Sequence, residues 1–121
     1  MRANHKSHGK KVMHHSDGAV RPLIPDLIEM GVDVLNPIQP GVTGMEADGL
    51  KKDFGERLCF HAGVDIVGLL PKGKPDEVRE TVKNLVGVLG ASGGYVLASS
   101  HHIQSDTPLA NVLALYETDL R

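Results

Sequence analysis

The chain has 121 residues, 40% of them hydrophobic but only 3% aromatic, so one domain with a core of Val, Leu, Ile, Ala and Met is the expectation, and a complete (β/α)₈ barrel of about 250 residues is excluded. A formal net charge of −2 and a pI near 6.4 leave no electrostatic footprint for nucleic acid or an anionic membrane surface. The single cysteine, Cys59, excludes an intrachain disulfide and a Cys-based zinc framework.

Four times the sequence passes from a short apolar run through a polar turn into a helical pattern, as successive βα units do. The basic lead-in carries Arg2, Lys6, Lys10 and Lys11 and lacks the apolar segment of a signal peptide. No apolar run is long enough to span a bilayer, so a cytoplasmic location and no membrane partner are expected.

The first strand is predicted at Val12–His15. Its helix follows over Val20–Met30, with Pro22 in the first turn, Gly31 as the stop, and Leu23, Ile24, Leu27 and Ile28 as one apolar stripe. The second strand, Val32–Leu35, is closed by Asn36-Pro37, since proline cannot donate to the ladder of a buried strand. A loop then leads to a helix near Met45–Phe54, weakened by Gly49.

The third strand is predicted at Leu58–Ala62, followed by a long loop through Pro71, Gly73 and Pro75. The next helix has the clearest period: Val78, Val82, Leu85, Val86 and Leu89 fall at i, i+4, i+7, i+8 and i+11, and Gly90 closes it. The fourth strand is Tyr95–Ser99. A last helix starts near Thr107-Pro108, with Leu109, Val112, Leu113 and Tyr116 predicted to face inward. The fold class is therefore α/β, with four parallel βα units, and right-handed crossovers put every strand's C-terminal end on one face, where such folds carry their chemistry.

Five of the seven histidines lie in or just after these strands: His14, His15, His61, His101 and His102. His5 and His8 are expected in solvent. Side chains alternate along an extended segment, so His15 and Asp17 point one way and His14 and Ser16 the other. A His and a carboxylate at i, i+2 can share a divalent metal, and His101 supplies a third ligand from the far end of the sequence, with a position open for water or substrate. The same spacing also suits a simple hydrogen-bonded pair.

His14 and His102 are the register alternatives to His15 and His101. His61 reads either as a hydrogen-bonded core histidine or as a site residue, and Asp65 either as a turn-forming cap or as a substrate contact. Gly93-Gly94 precedes a strand without opening a helix, so it is no dinucleotide fingerprint.

The stretches His15-Ser16-Asp17-Gly18, Pro22 to Ile28, Gly31 to Gln39, Phe60 to Asp65, Leu70 to Gly73, Gly93 to Leu97, Asp106 to Pro108 and Asn111-Val112 together resemble the uroporphyrinogen decarboxylase superfamily, which includes tetrapyrrole decarboxylases and zinc-dependent corrinoid methyltransferases. The resemblance implies the last four βα units of a (β/α)₈ barrel over residues 12–121, with residues 1–11 as the lead-in from a preceding helix.

It further implies a tetrapyrrole or corrinoid-type ligand, and either a complementary N-terminal half or self-association to cover the open sheet. Alternatively the chain is a non-catalytic half-barrel serving only as an assembly module. In the methyltransferase branch a His-x-Cys pair and a later Cys hold zinc; those positions read His15, Asp17 and His101 here. In the decarboxylase branch no cofactor is required, and the histidine matched by His101 contributes to the tetrapyrrole cleft, which makes His101 the candidate catalytic residue.

Overall fold

The computed structural model describes residues 8–120; the lead-in residues 1–7, including His5, and Arg121 lie outside them. Four parallel strands form one sheet in the order β1-β2-β3-β4, with β1 at Met13–His15, β2 at Val34–Asn36, β3 at Cys59–His61 and β4 at Tyr95–Val96. Register is continuous across the sheet: His14 pairs with Leu35, Leu35 with Phe60 and Phe60 with Tyr95. The ladder runs beyond the strands, with Ser16 N–H donating to Asn36 O at 2.8 Å and Ile38 N–H to His61 O at 3.2 Å.

The helices explain which sheet face is buried. After β1, Arg21–Leu23 form a single 3₁₀ turn and α1 follows at Ile24–Glu29. The sequence suggested one longer helix from Val20. Pro25 has no N–H to donate, so the chain restarts there with its proline in a first turn, where none is required. Helix α2, Ala47–Phe54, buries Leu50 and Phe54. These side chains join Ile24, Leu35, Phe60 and Leu89 in one core cluster, so Leu35 and Phe60 define the covered side of the sheet.

A four-residue helix, α3, spans Leu69–Lys72, where the sequence suggested only loop. Its start is held by Asp65, whose carboxylate accepts from the N–H groups of Val67, Gly68 and Leu69 at 2.9, 3.0 and 3.2 Å. Helix α4, Pro75–Leu89, has the predicted period and buries Val78, Val82 and Leu89. Its N-terminal backbone is tied by Lys74 N–H to Glu77 Oε2 at 2.9 Å. Its C-terminal end is met by Lys51, whose Nζ donates to Leu89 O at 2.9 Å and to Gly93 O in the loop beyond at 2.7 Å.

Helix α5, Leu109–Glu117, is turned from the expected face. Asn111, Ala114 and Leu115 are buried, whereas Leu109 and Tyr116 are 70% and 60% exposed. The reason is polar. Asn111 Nδ2 donates to Leu70 O and Gly73 O, both at 2.8 Å, and so anchors α5 on the carbonyls that end α3. Ala114 and Leu115 then pack with Val64, Leu70, Val78 and Val82 in a second cluster.

The other sheet face carries Met13, Val34 and Cys59 in one row and His15, Asn36 and His61 in the next, toward the C-terminal strand ends. None of these six is buried. Cys59 is half-buried, and burial pushes its thiol above the ordinary value while Lys51 acts in the opposite direction.

Candidate functional site at the C-terminal strand ends

The loops that leave β1, β3 and β4 converge on one end of the sheet. At the end of β3 the backbone turns through Ala62 at φ 77° and Gly63 at φ 119°, a left-handed excursion that costs an L side chain about 1 kcal/mol or more. The turn is clamped by Tyr95, whose hydroxyl donates to Ala62 O at 2.6 Å, and burial pushes the Tyr95 phenol well above its usual range.

His15 ends β1, and its two ring nitrogens meet two different partners. Nδ1 lies 2.8 Å from Asn36 Oδ1 and Nε2 lies 3.4 Å from Asp17 Oδ2. The Asn36 bond, and secondarily Asp17, raise the His15 pKa above 6.5. Asn36 Nδ2 in turn lies 2.6 Å from His61 Nδ1. Asp17, His15, Asn36 and His61 thus form a polar chain across the ends of three strands. Asn36 was missed in the sequence because the proline after it pointed only to the end of a strand, and its partners lie 21 and 25 residues away.

Two cavities open here. One of about 470 Å³ is lined by His15, Asn36, His61, His101, His102 and Tyr116, with Ser99 and Ser100 between them. A second of about 670 Å³ is lined by Asp17, Gln39, Asp65, Ser100 and His101, with apolar walls from Val42 and Ile66. His101 and Ser100 belong to both. The His101 and His102 rings meet edge-on with centroids 5.0 Å apart, and the Ser99 hydroxyl donates to His101 O at 2.7 Å, fixing the loop between them.

Among the described residues, no lysine or arginine lies in the wall of either cavity. Arg21, the nearest guanidinium in the sequence, is committed to an ion pair with Asp53, to Gly44 O at 3.2 Å and to the face of Phe54 at 5.3 Å. Gln39 accepts from Gly18 N–H at 2.8 Å, which shapes the loop after β1. Of the alternatives left by the sequence, His14 pairs with Leu35 on the covered side, His61 is a cavity residue, and Asp65 is a cap that also reaches a cavity wall. His8 is exposed.

A family model described as Uroporphyrinogen decarboxylase (URO-D) matches residues 1–119. The chain belongs to this uroporphyrinogen decarboxylase family. A solved methyltransferase from Methanosarcina mazei is similar to it at 26% identity and a TM-score of 0.72, over 93% of this chain and 32% of that one. The chain therefore spans about a third of the length of that relative. No curated protein matches it significantly. The four parallel βα units expected from the sequence are thus those of a uroporphyrinogen decarboxylase family member.

The zinc set implied by the resemblance can be set against this geometry. His15 and Asp17 come together, but among the described residues no three His, Cys, Asp or Glu side chains group so as to hold a metal ion. His101 does not join the pair in such a group, and His15 directs Nδ1 at Asn36 and Nε2 at Asp17. The donor set as arranged does not fit zinc. Among the described residues, no helix is long and apolar enough to cross a membrane.

Proposed function

We propose that this uroporphyrinogen decarboxylase family chain forms one wall of a cleft for a tetrapyrrole, in an enzyme that decarboxylates acetate side chains, with His101 contacting the ligand. The observation that carries this is the pair of adjoining cavities that share His101, one ringed by four imidazoles and the other apolar-walled. A tetrapyrrole with apolar ring faces and carboxylate side chains needs that combination.

In such a decarboxylation the carbon–carbon bond to the carboxylate breaks and carbon dioxide leaves. The electron pair passes into the protonated pyrrole ring, the side-chain carbon then takes a proton, and the ring gives up the proton it first gained, so that one proton replaces the carboxylate. Imidazole N–H groups suit contact with the departing carboxylate and delivery of protons near neutral pH. His15 is held toward its charged form by Asn36 and Asp17. Among the described residues, no lysine or arginine lies in either cavity wall to meet the remaining carboxylates, so these 121 residues alone are expected not to turn over. The location is taken to be cytoplasmic.

A second reading, corrinoid methyl transfer, is favoured by the solved methyltransferase that the chain resembles. It requires a metal to lower a thiol's pKa. Equilibrium binding of uroporphyrin and of methylcobalamin, with zinc content by mass spectrometry, separates the two. Uroporphyrin binding that weakens about tenfold in His101→Ala, the loss of one hydrogen bond to a charged group, is the expected result. Cobalamin binding together with stoichiometric zinc would establish the second reading instead, and binding of neither would overturn both.

A further inference from the structure

Asn36 stands between two imidazoles, with Oδ1 2.8 Å from His15 Nδ1 and Nδ2 2.6 Å from His61 Nδ1. A primary amide accepts only at oxygen and donates only at nitrogen. The two rings therefore cannot use the same kind of bond: His15 donates through Nδ1, and His61 accepts through Nδ1. With the Asp17 carboxylate 3.4 Å from His15 Nε2, both nitrogens of that ring face acceptor oxygens, an arrangement that only the doubly protonated imidazolium satisfies at both ends.

The consequence falls on His61. A ring that accepts at Nδ1 carries its proton on Nε2, and among the described residues no protein group is hydrogen-bonded to that nitrogen. His61 also lines the 470 Å³ cavity, where among the described residues the donors offered to a ligand oxygen are imidazole N–H, amide N–H and hydroxyl groups. We infer that Asn36 is a positioning residue that presents His61 to this cavity as a neutral Nε2–H donor, matched to a carboxylate or carbonyl oxygen of the bound ligand. Only the identity of that ligand rests on the proposed function.

Long-range ¹H–¹⁵N correlation spectra of the histidine rings in the full chain test the inference directly. Wild type should show the Nε2–H form of His61. Asn36→Asp, whose carboxylate only accepts, should convert His61 to the form with a proton on Nδ1. A wild-type His61 protonated on Nδ1, or a spectrum unchanged in Asn36→Asp, would overturn the assignment; if that variant does not fold, the wild-type spectrum decides alone.

Binding of uroporphyrin supplies the second readout. His61→Gln can keep a donor near the Nε2 position and should stay within about threefold of wild type, whereas His61→Phe should bind about tenfold more weakly. Equal losses in the two variants would refute the donor role. Failure of wild type to bind uroporphyrin at all would refute the tetrapyrrole reading, while the ring spectra would still decide the role of Asn36.

Discussion

The Asn36 amide oxygen lies 2.8 Å from His15 Nδ1, between the ends of the adjacent strands β2 and β1, and this bond is the largest influence on His15. It favours the protonated ring, so the midpoint of His15 by NMR titration should lie above 6.5, with Asn36→Leu returning it toward that value and Asp17→Asn also lowering it. Because the folded value is raised, the stabilisation from His15 is complete below 6.5 and is lost as pH rises through the raised value. A shallow decline of the urea midpoint over that window in wild type, absent in His15→Gln, is the expected outcome. A midpoint at or below 6.5 would contradict the pairing.

Gly63 sits at φ 119°, and a β-carbon there would meet the Tyr95 hydroxyl at 3.4 Å. Gly63→Ala should therefore cost about 2 kcal/mol in chemical denaturation, from the backbone conformation more than from contact. Tyr95→Phe leaves Ala62 O without its donor and should cost about 1 kcal/mol. Wild-type stability in both variants would remove the clamp at the end of β3.

Asn111 is 1% exposed and serves two carbonyls at once. Asn111→Leu leaves both without that partner, and a loss of about 2 to 3 kcal/mol is expected by urea denaturation. Asn111→Asp should be worse, since it places a carboxylate against two carbonyl oxygens. A neutral outcome for Asn111→Leu would mean that α5 is seated by its apolar contacts alone.

Exposed Leu109, Leu113 and Tyr116 recur at i, i+4 and i+7 on α5, and Val96 and Met13 are 45% and 56% exposed on the sheet. Apolar surface of this extent beside unpaired strand edges favours association. Light scattering of the purified chain should show mass rising with concentration, reduced in the double variant Leu109→Lys, Leu113→Lys. A monomer throughout a hundredfold range, on the order of what one instrument covers, would sink this expectation.

Local chemistry was enough for the sequence to determine the order of elements in this chain. Apolar runs of three to five residues, the proline and glycine stops, and the regular recurrence of Val78, Val82, Leu85, Val86 and Leu89 on α4 each act within one or two turns. The parallel arrangement then follows, because strands joined through helices must cross over, and the placing of His15, Asp17, His61 and His101 near the C-terminal strand ends was legible for the same reason. What the sequence left open was decided by contacts between distant residues. The face of α5 depends on Asn111 meeting carbonyls 38 and 41 positions away, a polar anchor that outweighs the apolar stripe. That Asp65 acts as a cap was decided when three backbone N–H groups turned onto its carboxylate. Arg21 became unavailable to a ligand only when α2 brought Asp53 and Phe54 against it. The pairing of His15 with His61 through Asn36 arises because parallel register aligns the ends of β1, β2 and β3, and residue spacing along one chain carries no record of which side chains such alignment will join.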